Sequence, residues 1–162
     1  MKICIVGAGA IGGFIGARLA TGKCEVSALA RGATLQALNT HGWRLQQNGA
    51  LLQSPTRASD RADQLGVQDL VVIAVKGPAL AGVAQSIAPL LGPQTMVLPA
   101  MNGVPWWFSQ GVASLGAAPL ESVDPAAQLP RIFRWRKSLV AWCMRARTQP
   151  NRVSCSTRWG RA

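Results

Sequence analysis

The sequence predicts an α/β fold built on a doubly wound parallel sheet, and three observations support this fold class. Short apolar runs typical of buried strands alternate with segments whose apolar residues recur at helical spacing. The first apolar run ends in a glycine-rich turn that leads directly into a helical segment. Hydrophobic residues make up 49% of the 162-residue chain and charged residues 14%, a balance that favours one globular domain with its own core.

The predicted elements follow one another from the beginning of the chain. Strands are expected at residues 2–6, 25–30, 70–75 and 95–99. Helices are expected at residues 10–21, 34–40 and 78–91, the second of them capped by Thr34 or an earlier residue. Asn48 and Gly49 separate two further strand-like runs, 43–47 and 50–53, and this dipeptide favours a tight hairpin turn.

The turn between the first strand and the first helix has the motif G-x-G-x-x-G. Its residues are Gly7, Ala8, Gly9, Ala10, Ile11 and Gly12. In such a turn the first glycine permits the sharp bend, the second lets a pyrophosphate approach the backbone, and the third allows the helix to pack closely on the strand. Because the motif lies between a strand and an amphipathic helix, we interpret it as a dinucleotide-binding loop of Rossmann type rather than a purely structural turn.

The choice of dinucleotide depends on the residue that ends the second strand. An acidic residue there would bind the ribose 2′-hydroxyl and repel a 2′-phosphate. This sequence has Arg31 at that position, and a guanidinium suits a phosphate dianion. We therefore predict NADP(H) as the cofactor, the alternative being that Arg31 is an ordinary surface arginine.

Two further features narrow the interpretation to a family. An apolar strand ends in Lys76, and Asn102, Gly103 and Val104 follow the next predicted strand. Together with the glycine loop and Arg31, these residues make the sequence resemble the N-terminal domain of the ketopantoate reductase (2-dehydropantoate 2-reductase) family. The resemblance covers residues 1–108, and residues 121–125 also look like a family segment.

The resemblance implies NADPH-dependent reduction of 2-dehydropantoate to pantoate, a step of pantothenate and coenzyme A biosynthesis. The partner would be a small-molecule 2-keto acid. The alternatives are a reductase acting on another 2-keto acid and a non-catalytic module that binds NADPH or, through its basic residues, nucleic acid. Lys76 matches the family lysine beside the nicotinamide end of the cofactor, and Asn102 matches an asparagine near cofactor and substrate. Both residues follow parallel strands, where ligands of such sheets bind, although a solvated strand end and an Asn-Gly turn are the simpler explanations.

The resemblance also implies a catalytic lysine, the proton donor, and a substrate-binding glutamate in a second, helical domain. No residue of this sequence matches either, since the one lysine after Lys76 is Lys137, in an unrelated context. We therefore predict no catalytic residue, an NADP-binding domain at residues 1–125, and a truncated, inactive 162-residue chain. Reduction of 2-dehydropantoate by this chain would contradict that expectation.

The net charge of +11 is concentrated at the C-terminal end. Residues 1–130 hold eight basic and six acidic side chains, whereas residues 131–162 hold nine basic and none acidic. Arginine and tryptophan alternate there, so residues 126–162, an irregular and poorly ordered tail by prediction, could bind nucleic acid or lie on a membrane surface. The domain itself carries too little charge to make nucleic acid a favoured partner.

A frameshift is the preferred explanation of this tail. In the shifted frame, each codon joins the third base of one residue's codon to the first two bases of the next. For Trp142, Cys143, Met144 and Arg145 this frame must encode valine, then histidine or tyrosine, then alanine or glutamate. Together with the codons just upstream, the shifted reading frame can encode Gly-Cys-Val-Val-His-Ala, which is similar to a strand of the family. The hypothesis predicts one inserted or deleted base near codons 126–131, and an intact reading frame on resequencing would contradict it.

Other classes of function find little support. Cys4, Cys24, Cys143 and Cys155 lack metal-ligand spacing, so we predict no metal site and a buried free thiol at Cys4. The lone histidine, His41, is expected in a surface turn. No apolar stretch approaches the roughly 20 residues that span a bilayer, and the glycine loop comes too early for a signal-peptide core. We therefore expect a cytoplasmic protein without a membrane partner.

Overall fold

The computed structural model describes residues 1–115, 118, 120–124, 127 and 129. The strands are β1 Lys2–Val6, β2 Glu25–Leu29, β3 Trp43–Gln47, β4 Ala50–Ser54, β5 Ala58–Ser59, β6 Gln68–Ile73 and β7 Leu91–Pro99. The α-helices are α1 Ala10–Ala20, α2 Gly32–His41 and α3 Leu80–Ser86. Short 3-10 turns occupy Ala62–Gln64, Gly77–Ala79, Ala88–Leu90, Phe108–Gly111 and Ala113–Leu115.

Five strands form one parallel sheet in the order β5-β2-β1-β6-β7. The chain builds the sheet outward from β1 in one direction and then returns to build β6 and β7 on the other side. This reversal beside β1 defines the topological switch point of a doubly wound sheet. The predicted fold class, a Rossmann-type α/β fold, is therefore confirmed.

Two elements differ from the prediction because of contacts that a local pattern does not reveal. The strand predicted at residues 70–75 covers Gln68–Ile73 instead, and it begins early because Gln68 pairs with Leu91 of β7. The side chain of Gln68 is buried and donates to the carbonyl oxygens of Leu65 and Gly66 at 2.9 and 3.0 Å. The two-residue strand β5 was not predicted at all. It exists because Ala58 and Ser59 pair with the edge of β2.

The helix predicted at residues 78–91 is broken in the structure. A 3-10 turn precedes α3, which ends at Ser86, and Ile87 already has a non-helical ψ of 1°. Pro89 explains the break, because its ring lacks an N–H and clashes with the carbonyl four residues earlier in a continuing helix. The following strand, β7, begins at Leu91, four residues before the predicted start.

The remaining elements agree with the prediction to within two residues. α1 ends at Ala20 with Thr21 as its C-cap, and β2 ends one residue before the predicted bound. α2 begins at Gly32, two residues early, with Arg31 as its N-cap. The antiparallel hairpin of β3 and β4 turns at Asn48 and Gly49, whose φ values of 50° and 79° are those of a mirror-image tight turn.

The sheet is buried on both faces. Along β1, Ile3 and Ile5 point into a core shared with α1, α2 and the hairpin, whereas Cys4 and Val6 point into a core shared with α3. On the first face the Trp43 indole is 2% exposed and donates from Nε1 to the carbonyl oxygen of Val26 at 3.0 Å. The result is a three-layer domain in which β1 is the central strand.

The core on the α3 face of the sheet also contains residues from the C-terminal part of the described chain. It includes Trp106, Trp107 and Leu129, the last of which is 1% exposed. The backbone N–H of Leu129 donates to both carboxylate oxygens of Asp124 at 3.2 Å. Apart from residues 127 and 129, the tail predicted at residues 126–162 lies outside the described residues.

Candidate functional site

Gly7 is the first residue of the turn after β1, and its backbone conformation is one that only glycine adopts without strain. Gly7 has a φ of +88°, and a β-carbon there would lie 2.7 Å from Cγ1 of Val75. Its N–H donates to the carbonyl oxygen of Leu29 at 3.0 Å, which fixes the turn beside the end of β2. Gly7 therefore allows β1 to turn sharply toward α1.

The third glycine of the motif marks the closest approach between α1 and the sheet. A β-carbon on Gly12 would lie 2.1 Å from the carbonyl oxygen of Gly7 and 3.1 Å from Cβ of Ala74. No side chain fits at such distances, so the first turn of α1 lies directly on the ends of β1 and β6.

The middle glycine faces open space instead. Among the residues that the structure describes, no atom would lie within 4 Å of a β-carbon on Gly9. Its φ of −75° is open to any residue, so the backbone conformation does not require glycine here. Gly9 is the N-cap of the 11-residue helix α1 and makes no side-chain cap hydrogen bond, and the first turn holds no acidic residue. The N–H groups of that turn, beginning at the exposed residues Ala10 and Ile11, are therefore available to an anion. These features fit a pyrophosphate.

The carboxyl ends of the neighbouring strands meet at this turn. The N–H of Ala74, just after β6, donates to the carbonyl oxygen of Val6 at 2.9 Å, and the N–H of Ala100, just after β7, donates to that of Ile73 at 2.8 Å. Lys76 and Asn102 each follow two residues later, and both are exposed. The structure thus brings Lys76, Asn102 and the glycine turn to one edge of the sheet.

Arg31 lies at the same edge on the other side of β1. It follows β2 by two residues, is exposed and is the N-cap of α2. Within the described part of the chain, its guanidinium has neither a hydrogen bond nor an ion pair. Along the edge the order is therefore Arg31, the glycine turn, Lys76 and Asn102, so an extended ligand across the turn would meet Arg31 at one end and Lys76 with Asn102 at the other.

One group of polar residues at this edge is not predictable from the sequence pattern. The turn after β5 carries Arg61, which pairs with Asp63 through contacts of 3.2 Å from Nε to Oδ1 and 2.5 Å from Nη2 to Oδ2. The Arg61 hydrogen bond lowers the pKa of Asp63, and the same bond with Asp63 raises the pKa of Arg61. A strand of two residues leaves almost no apolar signal, so sequence patterns could not place this turn at the sheet edge.

Residues that the sequence analysis considered structural lie away from the edge. Cys4 is a buried free thiol, as predicted, and burial raises its pKa to about 11. His41 is the exposed last residue of α2 rather than part of a separate turn. In the described residues no group of histidine, cysteine and acidic side chains could hold a metal ion. None of the helices described in residues 1–129 is long and apolar enough to cross a bilayer.

The sheet order and the glycine turn at its switch point define a Rossmann-type α/β domain. Residues 3–105 match the model of the family described as ketopantoate reductase PanE/ApbA. The chain therefore belongs to the ketopantoate reductase family.

Known proteins support this assignment. Over 131 residues, 80% of this chain, it is 46% identical to a 2-dehydropantoate 2-reductase of Mesorhizobium japonicum. A crystal structure described as a ketopantoate reductase from Ralstonia solanacearum shares 52% sequence identity over 84% of this chain, with a TM-score of 0.79. The chain spans 40% of the length of the Mesorhizobium protein and 42% of the Ralstonia chain.

A third similar structure bears on the cofactor. It is a ternary structure of D-mandelate dehydrogenase with NADH and anilino(oxo)acetate, 27% identical to this chain, which covers 38% of it. The match covers 72% of the present chain with a TM-score of 0.59. The similar structures thus include an oxidoreductase bound to the cofactor without a 2′-phosphate.

Proposed function

We propose that the chain is the NADP(H)-binding domain of an oxidoreductase that reduces a 2-keto acid, with 2-dehydropantoate as the substrate. The main support for the proposal is that the three glycines of the turn after β1 differ in the space around them. Gly7 and Gly12 are required by the fold, whereas no atom of the described residues would lie within 4 Å of a β-carbon on Gly9. A space kept open above the N-terminus of a helix suits a pyrophosphate.

Arg31 supports the choice of NADP(H) over NAD(H). Its guanidinium follows β2, beside the glycine turn, and has no protein partner among the described residues. Charge-assisted hydrogen bonds from a guanidinium to a 2′-phosphate dianion are among the stronger polar contacts in proteins. NADH lacks this phosphate and would gain nothing from Arg31.

Lys76 and Asn102 support a reaction at the opposite end of the cofactor. Both follow strands on the β6 side of the switch point and are exposed to the region above the sheet edge. We assign them to the nicotinamide end, where a lysine and an amide can bind the oxygen atoms of a keto acid. The cofactor supplies the hydride, and these side chains hold the substrate for it.

The sharpest test uses Gly9 and a nearby glycine of the same helix. Gly9→Ala should fold normally but place a methyl group where the pyrophosphate approaches, so NADPH binding should weaken at least tenfold. Gly13→Ala is the matched control, because its β-carbon would make only an ordinary 3.6 Å contact with the carbonyl oxygen of Ala8. Equal NADPH affinity for the two variants, measured by fluorescence titration, would contradict the proposal.

The cofactor assignment is tested by the same titration with two nucleotides. The unmodified chain should bind NADPH more tightly than NADH, and Arg31→Ala should reduce that preference by weakening NADPH binding while leaving NADH binding nearly unchanged. A charge-assisted contact of this kind changes affinity by about tenfold or more. An Arg31→Ala variant that keeps the full NADPH preference of the unmodified chain would show that Arg31 does not bind the 2′-phosphate.

A second candidate is a reductase that uses NADH and a different 2-keto acid. The similarity to a D-mandelate dehydrogenase bound to NADH and anilino(oxo)acetate favours it. The two candidates differ in a simple measurement, because this one predicts that the chain binds NADH at least as tightly as NADPH.

A further inference from the structure

The turn after β5 lies next to the turn that carries Arg31. Leu29 and Ser59 are partners in the parallel ladder, and the N–H of Ala30 donates to the carbonyl oxygen of Ser59 at 3.0 Å. Arg61 follows Ser59 by two residues, as Arg31 follows Leu29 by two. Because neighbouring strands lie about 4.8 Å apart, the two arginines begin from adjacent positions on one edge of the sheet.

The backbone of this second turn is held by a buried serine. The hydroxyl oxygen of Ser59 accepts a hydrogen bond from the N–H of Arg61 at 2.9 Å and donates one to Oε1 of Gln64 at 2.6 Å. Ser59 itself is buried. The position of Arg61 relative to β2 is therefore fixed by contacts that do not involve its own side chain.

The side chain of Arg61 has a partner that a ligand could replace. Its guanidinium pairs with Asp63, and the two side chains are 64% and 52% exposed. Exposed ion pairs add little stability, because water screens them. A phosphate dianion offers the guanidinium more charge and more acceptor atoms than one carboxylate does.

We propose that Arg61 is a second specificity-determining residue for the 2′-phosphate of the cofactor. On binding, its guanidinium leaves Asp63 and joins Arg31 on the phosphate. This inference rests on the proposed function, since it concerns the adenosine end of the same site. In this role Asp63 holds the arginine in the free protein and competes with the phosphate for it.

The test uses two nucleotides that differ only in the 2′-phosphate, adenosine 2′,5′-bisphosphate and adenosine 5′-monophosphate. Binding to the 162-residue chain is measured by calorimetry. Arg61→Ala should weaken binding of the bisphosphate by about tenfold, the effect of losing one charge-assisted contact, and change binding of the monophosphate less than twofold. Arg61→Gln, which retains a polar side chain, should show the same selective loss.

Asp63 and Asp60 provide a matched pair of charge changes in the same turn. Asp63→Asn should tighten bisphosphate binding about threefold, because it removes the competing partner of Arg61. Asp60→Asn removes the same charge but makes no ion pair with Arg61 among the described residues, so its effect should be clearly smaller. If both variants bind the bisphosphate equally more tightly, the change in net charge alone explains the effect. That result would overturn the proposal that Arg61 leaves Asp63 for the phosphate.

The remaining outcomes separate this inference from the proposed function. If Arg31→Ala abolishes the preference for the bisphosphate and Arg61→Ala leaves it intact, the role of Arg61 is overturned while the cofactor assignment stands. Equal losses of both nucleotides in Arg61→Ala would also overturn it. If the unmodified chain binds the two nucleotides equally or not at all, both proposals fail.

Discussion

The indole ring of Trp43 lies directly against the backbone of Gly16. A β-carbon at Gly16 would be 2.4 Å from Cη2 of that ring, closer than any side-chain contact allows. A hydrogen bond also holds the ring in place, because its Nε1 donates to the carbonyl oxygen of Val26 in β2. Gly16 therefore allows α1, the hairpin and the sheet to meet at one point.

Gly16→Ala should lower the free energy of unfolding by about 1–3 kcal/mol, the usual effect of overpacking a core. The loss should occur although alanine is the better helix former by about 1 kcal/mol. Gly13→Ala, on the same helix without a close contact, should be neutral or stabilising. Denaturant unfolding of the two variants measures the difference, and equal stabilities would show that the ring moves aside freely.

Gly12→Ala should damage both the fold and cofactor binding. The new methyl group would meet the carbonyl oxygen of Gly7 at 2.1 Å, and a backbone atom cannot rotate away as a side chain can. We expect a loss of about 3 kcal/mol in the free energy of unfolding, measured by thermal or denaturant unfolding, together with weaker NADPH binding. A stable Gly12→Ala variant would mean that α1 does not pack on the strand ends as described.

The order of strands and helices could be predicted from the sequence because β1 and β6 are apolar runs buried on both faces. Element bounds were less predictable where distant contacts decide them. Gln68 extends β6 because it pairs with Leu91 of β7, and β5 exists through its pairing with β2. The end of α3, by contrast, could have been predicted locally from Pro89. The apolar residues continue at helical spacing past this proline, so the helix was predicted too long.

Leu129→Ala should destabilise the domain by about 2–5 kcal/mol, the usual result of removing a buried leucine side chain. Leu129 is 1% exposed in the core that contains Trp106 and Trp107, and Asp124 binds its N–H. Leu51→Ala is the control, because Leu51 is 58% exposed and its replacement should change stability by less than about 0.5 kcal/mol. If both variants unfold alike, Leu129 lies outside the cooperative domain.

The part of the candidate site that follows the long parallel strands could be predicted from the sequence. The glycine turn, Arg31, Lys76 and Asn102 all follow strands, and parallel strands end together at one edge. The turn that carries Arg61 was not predictable, because its position depends on a two-residue strand. Sequence patterns also gave no sign of the ion pair between Arg61 and Asp63, whose turn is hydrogen-bonded through the backbone to the turn that carries Arg31.

Cys4 should make the stability of the domain fall in alkaline solution. Burial raises the pKa of its thiol to about 11, from an ordinary value of 9.0 in the unfolded chain. Between these values the unfolded state loses its thiol proton while the folded state keeps it, so unfolding becomes more favourable as the pH rises. The stabilisation is complete below pH 9 and is lost by pH 11, a change on the order of 3 kcal/mol.

The measurement is the free energy of unfolding at pH 8, 9, 10 and 11 for the unmodified chain and for Cys4→Ala. Other groups also titrate over this range, so the difference between the two proteins isolates the thiol. Cys4→Ala should be less stable at pH 8, because it leaves a small cavity in the core, and the gap should narrow or reverse by pH 11. Parallel profiles would mean that the Cys4 thiolate forms as easily inside the folded protein as in water.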